Sequence, residues 1–413
     1  EANIKLGELE RGLELLDAVL VRRGQRRTRS RAISAIRAAG VAARWLWPGP
    51  VRTQAVDEVL GSAYRVIARF LSTPYPIEAL EYVLRGTALA ERSGDRSAHA
   101  IGMAMLSAYL AAGSLGRFGD RAIASADRLA TSSGAGYPRM VVGGASGILA
   151  ALRGDWRGMR DAHEGAAAIC DHLGLQRSWE GSFLRAYWAM GENYAGEPTR
   201  ALELLEGLAE ASDDLFTRAI IDSHRGRALL LVGDVAGAKR VLRDLDRVPR
   251  RGMASMYRDA FAGELALAEH RWSDALAVGE RFAKSARSQW LSALPLVTAM
   301  IEVVTATAEI GRAASSSGGI RASAASHARD TAKALYRRGG SSFYAATALR
   351  LWAQAEQLLD GDATGVLVRA RAAADARGGK LDRLAIAALG GVAIDPGPLR
   401  FAMAWSTGGM VAG

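Results

Sequence analysis

Residues 189–205 read Ala189-Met190-Gly191-Glu192-Asn193-Tyr194-Ala195-Gly196-Glu197-Pro198-Thr199-Arg200-Ala201-Leu202-Glu203-Leu204-Leu205, and their spacing decides the fold. An apolar helical segment stops at Gly196, a residue type that tolerates the φ > 0 geometry of a helix end. Pro198 starts the next helix, where its missing N–H costs nothing. Ala201, Leu204, Leu205 and Leu208 then fall at i, i+3, i+4 and i+7, which is one apolar face. Small residues flank the turn: Ala189 stands seven positions before Gly196 and Ala201 five after it. Antiparallel helices approach closely only past small side chains, so the stretch predicts a helical hairpin.

The arrangement recurs. Turns at Gly116-Arg117-Phe118, Gly154-Asp155-Trp156, Gly196-Glu197-Pro198, Gly233-Asp234-Val235 and His270-Arg271-Trp272 are spaced by 38, 42, 37 and 37 residues. Gly147, Gly226 and Gly263 stand where Ala189 does, and Met159, Ala238 and Ala275 where Ala201 does. A tetratricopeptide unit is about 34 residues long, so these units are slightly elongated. Met159 and His270 depart from the small and Gly positions. Gly7-Glu8-Leu9 and Gly361-Asp362-Ala363 read as outlying copies of the turn. The expected fold is all-α, a right-handed α-solenoid of tetratricopeptide-like helical hairpins. No alternating β-branched run predicts a sheet.

Around the regular part, 96–314, both ends are looser. Residues 1–95 read as irregular helical hairpins: long helices over 28–47 and up to Leu71, separated by Pro48-Gly49-Pro50, then Pro74-Tyr75-Pro76 and helices over 77–94 and 96–114. Residues 326–413 read as helical hairpins with a capping tail. Ser315-Ser316-Ser317-Gly318-Gly319 between them reads as a flexible linker.

Composition agrees with a helical array. The chain has 413 residues, 49% of them hydrophobic, and ten Pro. Its net charge is +10, carried almost entirely by Arg interleaved with Asp and Glu. The single cysteine, Cys170, excludes an intramolecular disulfide framework and fits a reducing, cytoplasmic compartment. No uninterrupted apolar run is long enough to predict a membrane span. The chain begins at Glu1 without an initiator Met, which reads as a piece of a longer protein or a processed product.

No catalytic, cofactor-binding or metal-binding residue emerges. There is no phosphate-binding loop, and Gly143-Gly144-Ala145-Ser146-Gly147 lies within a helical pattern, where it allows close packing. His99, His163, His172, His224, His270 and His327 form no H-E-x-x-H and share no helix face at i, i+4. Cys170 reads as a buried small hydrophobe. The carboxylate pairs Asp213-Asp214 and Glu8/Glu10 carry no acid/base signature. Trp156 and Trp272 read as packing between neighbouring hairpins. The Arg-rich stretch 22–31 is either a contact for phosphate or an acidic partner or, the reading favoured here, a solvated loop that begins a helix.

A resemblance adds context. Gly7-Glu8-Leu9-Glu10-Arg11-Gly12 with Leu13 to Leu20, Arg26-Arg27-Thr28-Arg29, Ala88-Leu89-Ala90-Glu91-Arg92-Ser93-Gly94-Asp95, Gly154-Asp155-Trp156, Ile394-Asp395-Pro396 and Arg400-Phe401 are similar to stretches of one family. They resemble the C-terminal tetratricopeptide-like array of large bacterial multidomain regulators, in which a serine/threonine protein kinase is fused to an AAA- or STAND-type ATPase. The resemblance implies a non-catalytic regulatory arm of a signalling protein, binding a protein or peptide partner or its own kinase and ATPase domains. No kinase H-R-D or D-F-G motif lies in these residues, so no catalytic residue carries over. The alternatives are an array that senses a small-molecule effector, with Trp179, Tyr187 or Trp188 as aromatic lining, as in a STAND-type transcriptional regulator, and nucleic-acid contact through 22–31.

Overall fold

The computed structural model describes residues 9–28, 30–46, 57–112, 115–211, 215–248, 250–339 and 342–410. Among these the chain is all-α, with no strand. The first helices are α1 (Leu9–Arg22), α2 (Arg31–Leu46), α3 (Glu58–Leu71), α4 (Pro76–Ser93) and α5 (Arg96–Ala112). The middle holds α6 (Gly116–Ser133), α7 (Gly136–Arg153), α8 (Trp156–His172), α9 (Trp179–Ala195), α10 (Pro198–Leu205) and the short α11 (Leu208–Ala211). Then come α12 (Leu215–Leu231), α13 (Val235–Leu245), α14 (Gly252–Ala268), α15 (Trp272–Ser288) and α16 (Pro295–Ala314). The chain finishes with α17 (Gly318–Gly339), α18 (Tyr344–Leu358), α19 (Thr364–Arg377), α20 (Lys380–Leu389) and α21 (Arg400–Ser406).

Consecutive helices pair as hairpins, α5/α6, α7/α8, α9/α10, α12/α13, α14/α15, α16/α17 and α18/α19. The first helix of each hairpin packs on the first helix of the next, so α5, α7, α9, α12, α14, α16 and α18 form an inner layer. The turns follow one design. A left-handed residue ends the first helix, at Gly154 (φ 73°), Gly196 (φ 87°) and Gly233 (φ 89°). The next N–H returns to a carbonyl five residues earlier, from Asp155 to Ala150 at 3.0 Å, Glu197 to Glu192 at 2.9 Å and Asp234 to Leu229 at 2.8 Å. Asp155 and Asp234 then cap the second helix by accepting from Gly158 and Gly237 N–H. His270 takes the left-handed position itself, at φ 55°.

Several expectations are corrected. Gly116 is the first residue of α6 and does not end α5. In the outlying copy at 361, Asp360 (φ 55°) is the left-handed residue. The small positions serve two purposes. Gly147 faces the His163 ring on its own hairpin partner, with an added Cβ only 2.3 Å from it. Gly226 and Gly263 instead receive Phe261 and Val304 from the next inner helix, where a Cβ would stand 2.3 and 2.7 Å away. Residues 315–317 are a tight turn, and position 326 lies inside α17. Buried Ala306 and Ala313 of α16 pack with Ala324, Ala325, Ala328 and Ala332 of α17, so the two helices form a close hairpin with no linker. The Pro48-Gly49-Pro50 break, Gly7-Glu8 and Asp213-Asp214 fall outside the described residues.

The array curves back on itself. Met253 N–H donates to the Thr73 carbonyl at 2.8 Å, and Arg31 Nη1 to the Ser288 carbonyl at 2.7 Å. Gly252, at φ 56°, sits where an added Cβ would be 2.0 Å from Thr73 O. The α3–α4 turn therefore docks on the start of α14, and the inner helices between them surround a space. The C-terminal tail packs against earlier helices. Arg350 Nη1 donates to the Ser406 carbonyl at 2.7 Å, Gln354 Nε2 to the Thr407 carbonyl at 2.8 Å, and Phe401 rests on Gly233.

Candidate functional site

That space is a chamber of about 500 Å³ with mostly apolar walls. α3 contributes Val66 and Arg69, α5 Met105 and Tyr109, and α7 Val141, Gly144 and Ile148. α9 supplies a ladder of rings at i, i+4 and i+8: Trp179 and Phe183 stack with centroids 4.7 Å apart, and Phe183 and Tyr187 lie 4.4 Å apart. Tyr257 of α14 meets Tyr187 edge-on at 6.5 Å. Met253, Leu294 and Leu296 close the same end. The inner helices are therefore apolar on two faces: one packs on the hairpin partner and the other faces this volume.

The chamber's polar groups are few and placed. Arg69 makes an ion pair with Glu180 at 2.8 Å and lays its guanidinium 4.6 Å from the Trp179 ring centroid. Tyr137 donates its hydroxyl to the same Glu180 carboxylate at 3.1 Å. The Tyr109 hydroxyl is buried with no hydrogen-bond partner among the described residues. Arg65 lies at the chamber's edge on the α3 face that also carries Ser62.

Of the aromatic candidates read from sequence, Trp179 and Tyr187 line the chamber and Trp188 does not. Trp188 stacks on His163 at 6.0 Å, and its indole N–H donates to Glu192 at 3.1 Å. Trp156 packs in the cluster that joins Ala151 and Met159 to Trp188 and Leu204 of the next hairpin, and it also reaches beyond that neighbour. Its Nε1 donates to the Gly378 carbonyl at 3.1 Å and its ring meets Phe343, which ties α8 to the C-terminal helices. Trp272 also packs on the next hairpin, against Gly311. Cys170 is fully buried among Met140, Ala166 and Leu184, and burial raises its thiol pKa. Three arginines of the Arg-rich stretch are paired: Arg23 with Asp57 at 2.8 Å, Arg27 with Asp17 at 2.7 Å and Arg31 with Glu78 at 3.2 Å. No cluster of three His, Cys, Asp or Glu suited to a metal ion occurs among the described residues. None of the described helices is long and apolar enough to cross a membrane.

Two histidines are held neutral inside the array. Burial pushes the His163 pKa down to about 4, and Nδ1 meets the Met159 carbonyl at 2.9 Å. Burial, with Arg227 nearby, pushes His224 down to about 3. Both values lie below 6.5, the ordinary value, so the unfolded chain binds protons first as pH falls. Their contribution is complete above pH 6.5 and is lost as pH drops toward the folded values, by about 1.4 kcal/mol per unit for each histidine. Urea unfolding between pH 7 and pH 5 is expected to show this decline, and His224→Phe to flatten it. An unchanged slope in the variant would contradict the assignment.

The sequence missed the α3 and α5 contributions to the chamber. The available signal was the width of the apolar surface on α5, where Ile101, Met105 and Tyr109 form a second stripe about 100° round from Ala100 and Ala104, since a helix apolar over most of its surface is buried on more than one side. No protein-family model matches the chain, and no curated protein matches it either.

Proposed function

We propose that the chain is a helical-repeat binding module whose inner helices hold a mostly apolar small molecule, as the sensing arm of a larger regulatory protein. The observation that carries this reading is the chamber of about 500 Å³ with its aromatic ladder. Small-molecule sites are concave, mostly apolar, roughly 300–1,000 Å³ in size and provided with a few placed polar groups. The inner-helix contacts also supply a coupling route. A ligand touching α3, α5, α7, α9, α14 and α16 at once favours the closed arrangement of the array over any more open one, by its differential affinity for the two. The resemblance to kinase–ATPase regulators supplies the setting: a tetratricopeptide-like solenoid, right-handed in that family, passing occupancy to domains of the same protein.

Titration with the neutral fluorophore N-phenyl-1-naphthylamine tests the reading. Saturable binding at one site per chain is expected, with loss of affinity in Ala108→Trp, since Ala108 of α5 lines the chamber and the larger ring would enter its volume. Equal binding by the folded variant, or none by the unaltered chain, would sink it.

A second reading has its own observation. Leu15 and Val21 on α1 and Ile33 and Ile36 on α2 are exposed apolar side chains on the first two described helices. Such side chains suit contact with another protein surface. Cross-linking of the full chain to a candidate partner, lost in Ile36→Glu, would favour it.

A further inference from the structure

Building on the chamber as a binding site, we propose that its ligand is a small apolar molecule bearing one carboxylate, held at Arg65. The charge on the rim comes from α3, which turns Ser62, Arg65, Val66 and Arg69 toward the chamber from a single helix face. Arg69 is already engaged by Glu180, and Glu180 also accepts from Tyr137, so this carboxylate is occupied from two sides. Arg65 differs. Its hydrogen bond among the described residues runs from Nη2 to Ser62 Oγ at 3.0 Å, and no carboxylate there pairs with it. Two guanidiniums against one carboxylate leave a single positive charge beside an apolar volume.

A guanidinium offers five donors in a planar fork that matches a carboxylate in two-pronged fashion, and Ser62 takes up only one of them. The ring ladder raises the opposite case, a cationic head group lying on aromatic faces. That place is filled, because the Arg69 guanidinium sits on Trp179, and a second cation would face two arginines. An apolar peptide segment is the other rival. Its backbone N–H and C=O groups need partners, and walls this poor in polar groups leave them unsatisfied. An amphiphile with one head group needs no such partners.

Calorimetric titration of the full chain with decanoate, decanol and decyltrimethylammonium, each below its micelle concentration, separates the cases. A blocked apolar hexapeptide forms the fourth arm. Decanoate is expected to bind about tenfold tighter than decanol, the scale of one charge-assisted hydrogen bond. Rising ionic strength shrinks that preference. Arg65→Gln removes it while leaving decanol affinity in place, and Arg65→Lys restores part of it. Should Arg65→Gln fail to fold, Arg65→Lys and the ionic-strength series on the unaltered chain decide the matter. Equal affinity for decanoate and decanol, or tighter binding of the ammonium compound or the peptide, overturns the carboxylate assignment and leaves the chamber as a site. No binding by any of the four to natively folded chain overturns the site as well.

Discussion

Phe261→Ala is expected to destabilise the protein by about 3–5 kcal/mol, the usual range for a fully buried aromatic ring. Phe261 is 2% exposed and belongs to the cluster that joins α12, α14 and α16. Its ring fills the hollow over Gly226, where a Cβ would stand 2.3 Å from Cζ. Large apolar neighbours cannot collapse into that hollow, because Gly226 offers no side chain to move. The pair makes a sharper test than either change alone. Gly226→Ala by itself drives a methyl group into the ring and also destabilises. In the Phe261→Ala background the same methyl group enters vacated space and recovers part of the loss. Guanidinium unfolding of the four proteins should therefore show strong coupling. Additive effects would mean that the two residues do not meet.

Gly252→Ala is expected to cost at least about 2–3 kcal/mol. A left-handed backbone costs an ordinary residue about 1–2 kcal/mol. At Gly252 a Cβ also collides with the Thr73 carbonyl, 2.0 Å away, and with Pro74. The α3–α4 turn must then leave its seat on α14. Gly24→Ala is the control. Gly24 has φ 67° and open space around it, so it carries the backbone term alone. The excess of Gly252→Ala over Gly24→Ala measures the closing contact. Hydrogen exchange gives a second readout, since the Met253 amide that donates to Thr73 loses its protection. Equal costs at the two glycines would mean that closure contributes nothing.

The sequence disclosed the array because hairpins are written locally. A left-handed Gly, a capping Asp and small residues on either side lie within a dozen positions, so Gly154-Asp155 and Gly233-Asp234 could be read by eye. What the small residues touch could not. Gly226 accommodates a ring from position 261, and Gly154 lies against Arg377, contacts set by the curvature of the whole array. Trp156 shows the same limit. Its turn-adjacent position points to the neighbouring hairpin, where its ring does pack, but gives no sign of Gly378 in the C-terminal helices, which its indole N–H also reaches.

The chamber was half legible. Trp179 and Tyr187 stand eight residues apart on α9, and the sequence offers both as an aromatic lining. Trp188, one position further, turns into the core because adjacent residues on a helix point about 100° apart. Arg65 and Arg69 carried no signal, since α3 faces α9 across the chamber only when the array has closed. Arg22 to Arg31 drew attention by density, yet the described carboxylates already pair with Arg23, Arg27 and Arg31. Arg65 stands apart through what surrounds it, and that is a property of the fold.

The central claim is that the inner helices enclose a ligand site. A crystal structure of the chain grown with decanoate tests it most directly. The account predicts elongated density along Trp179, Phe183 and Tyr187, ending at Arg65. A chamber filled by its own side chains, or decanoate bound only on the outer surface, would contradict it.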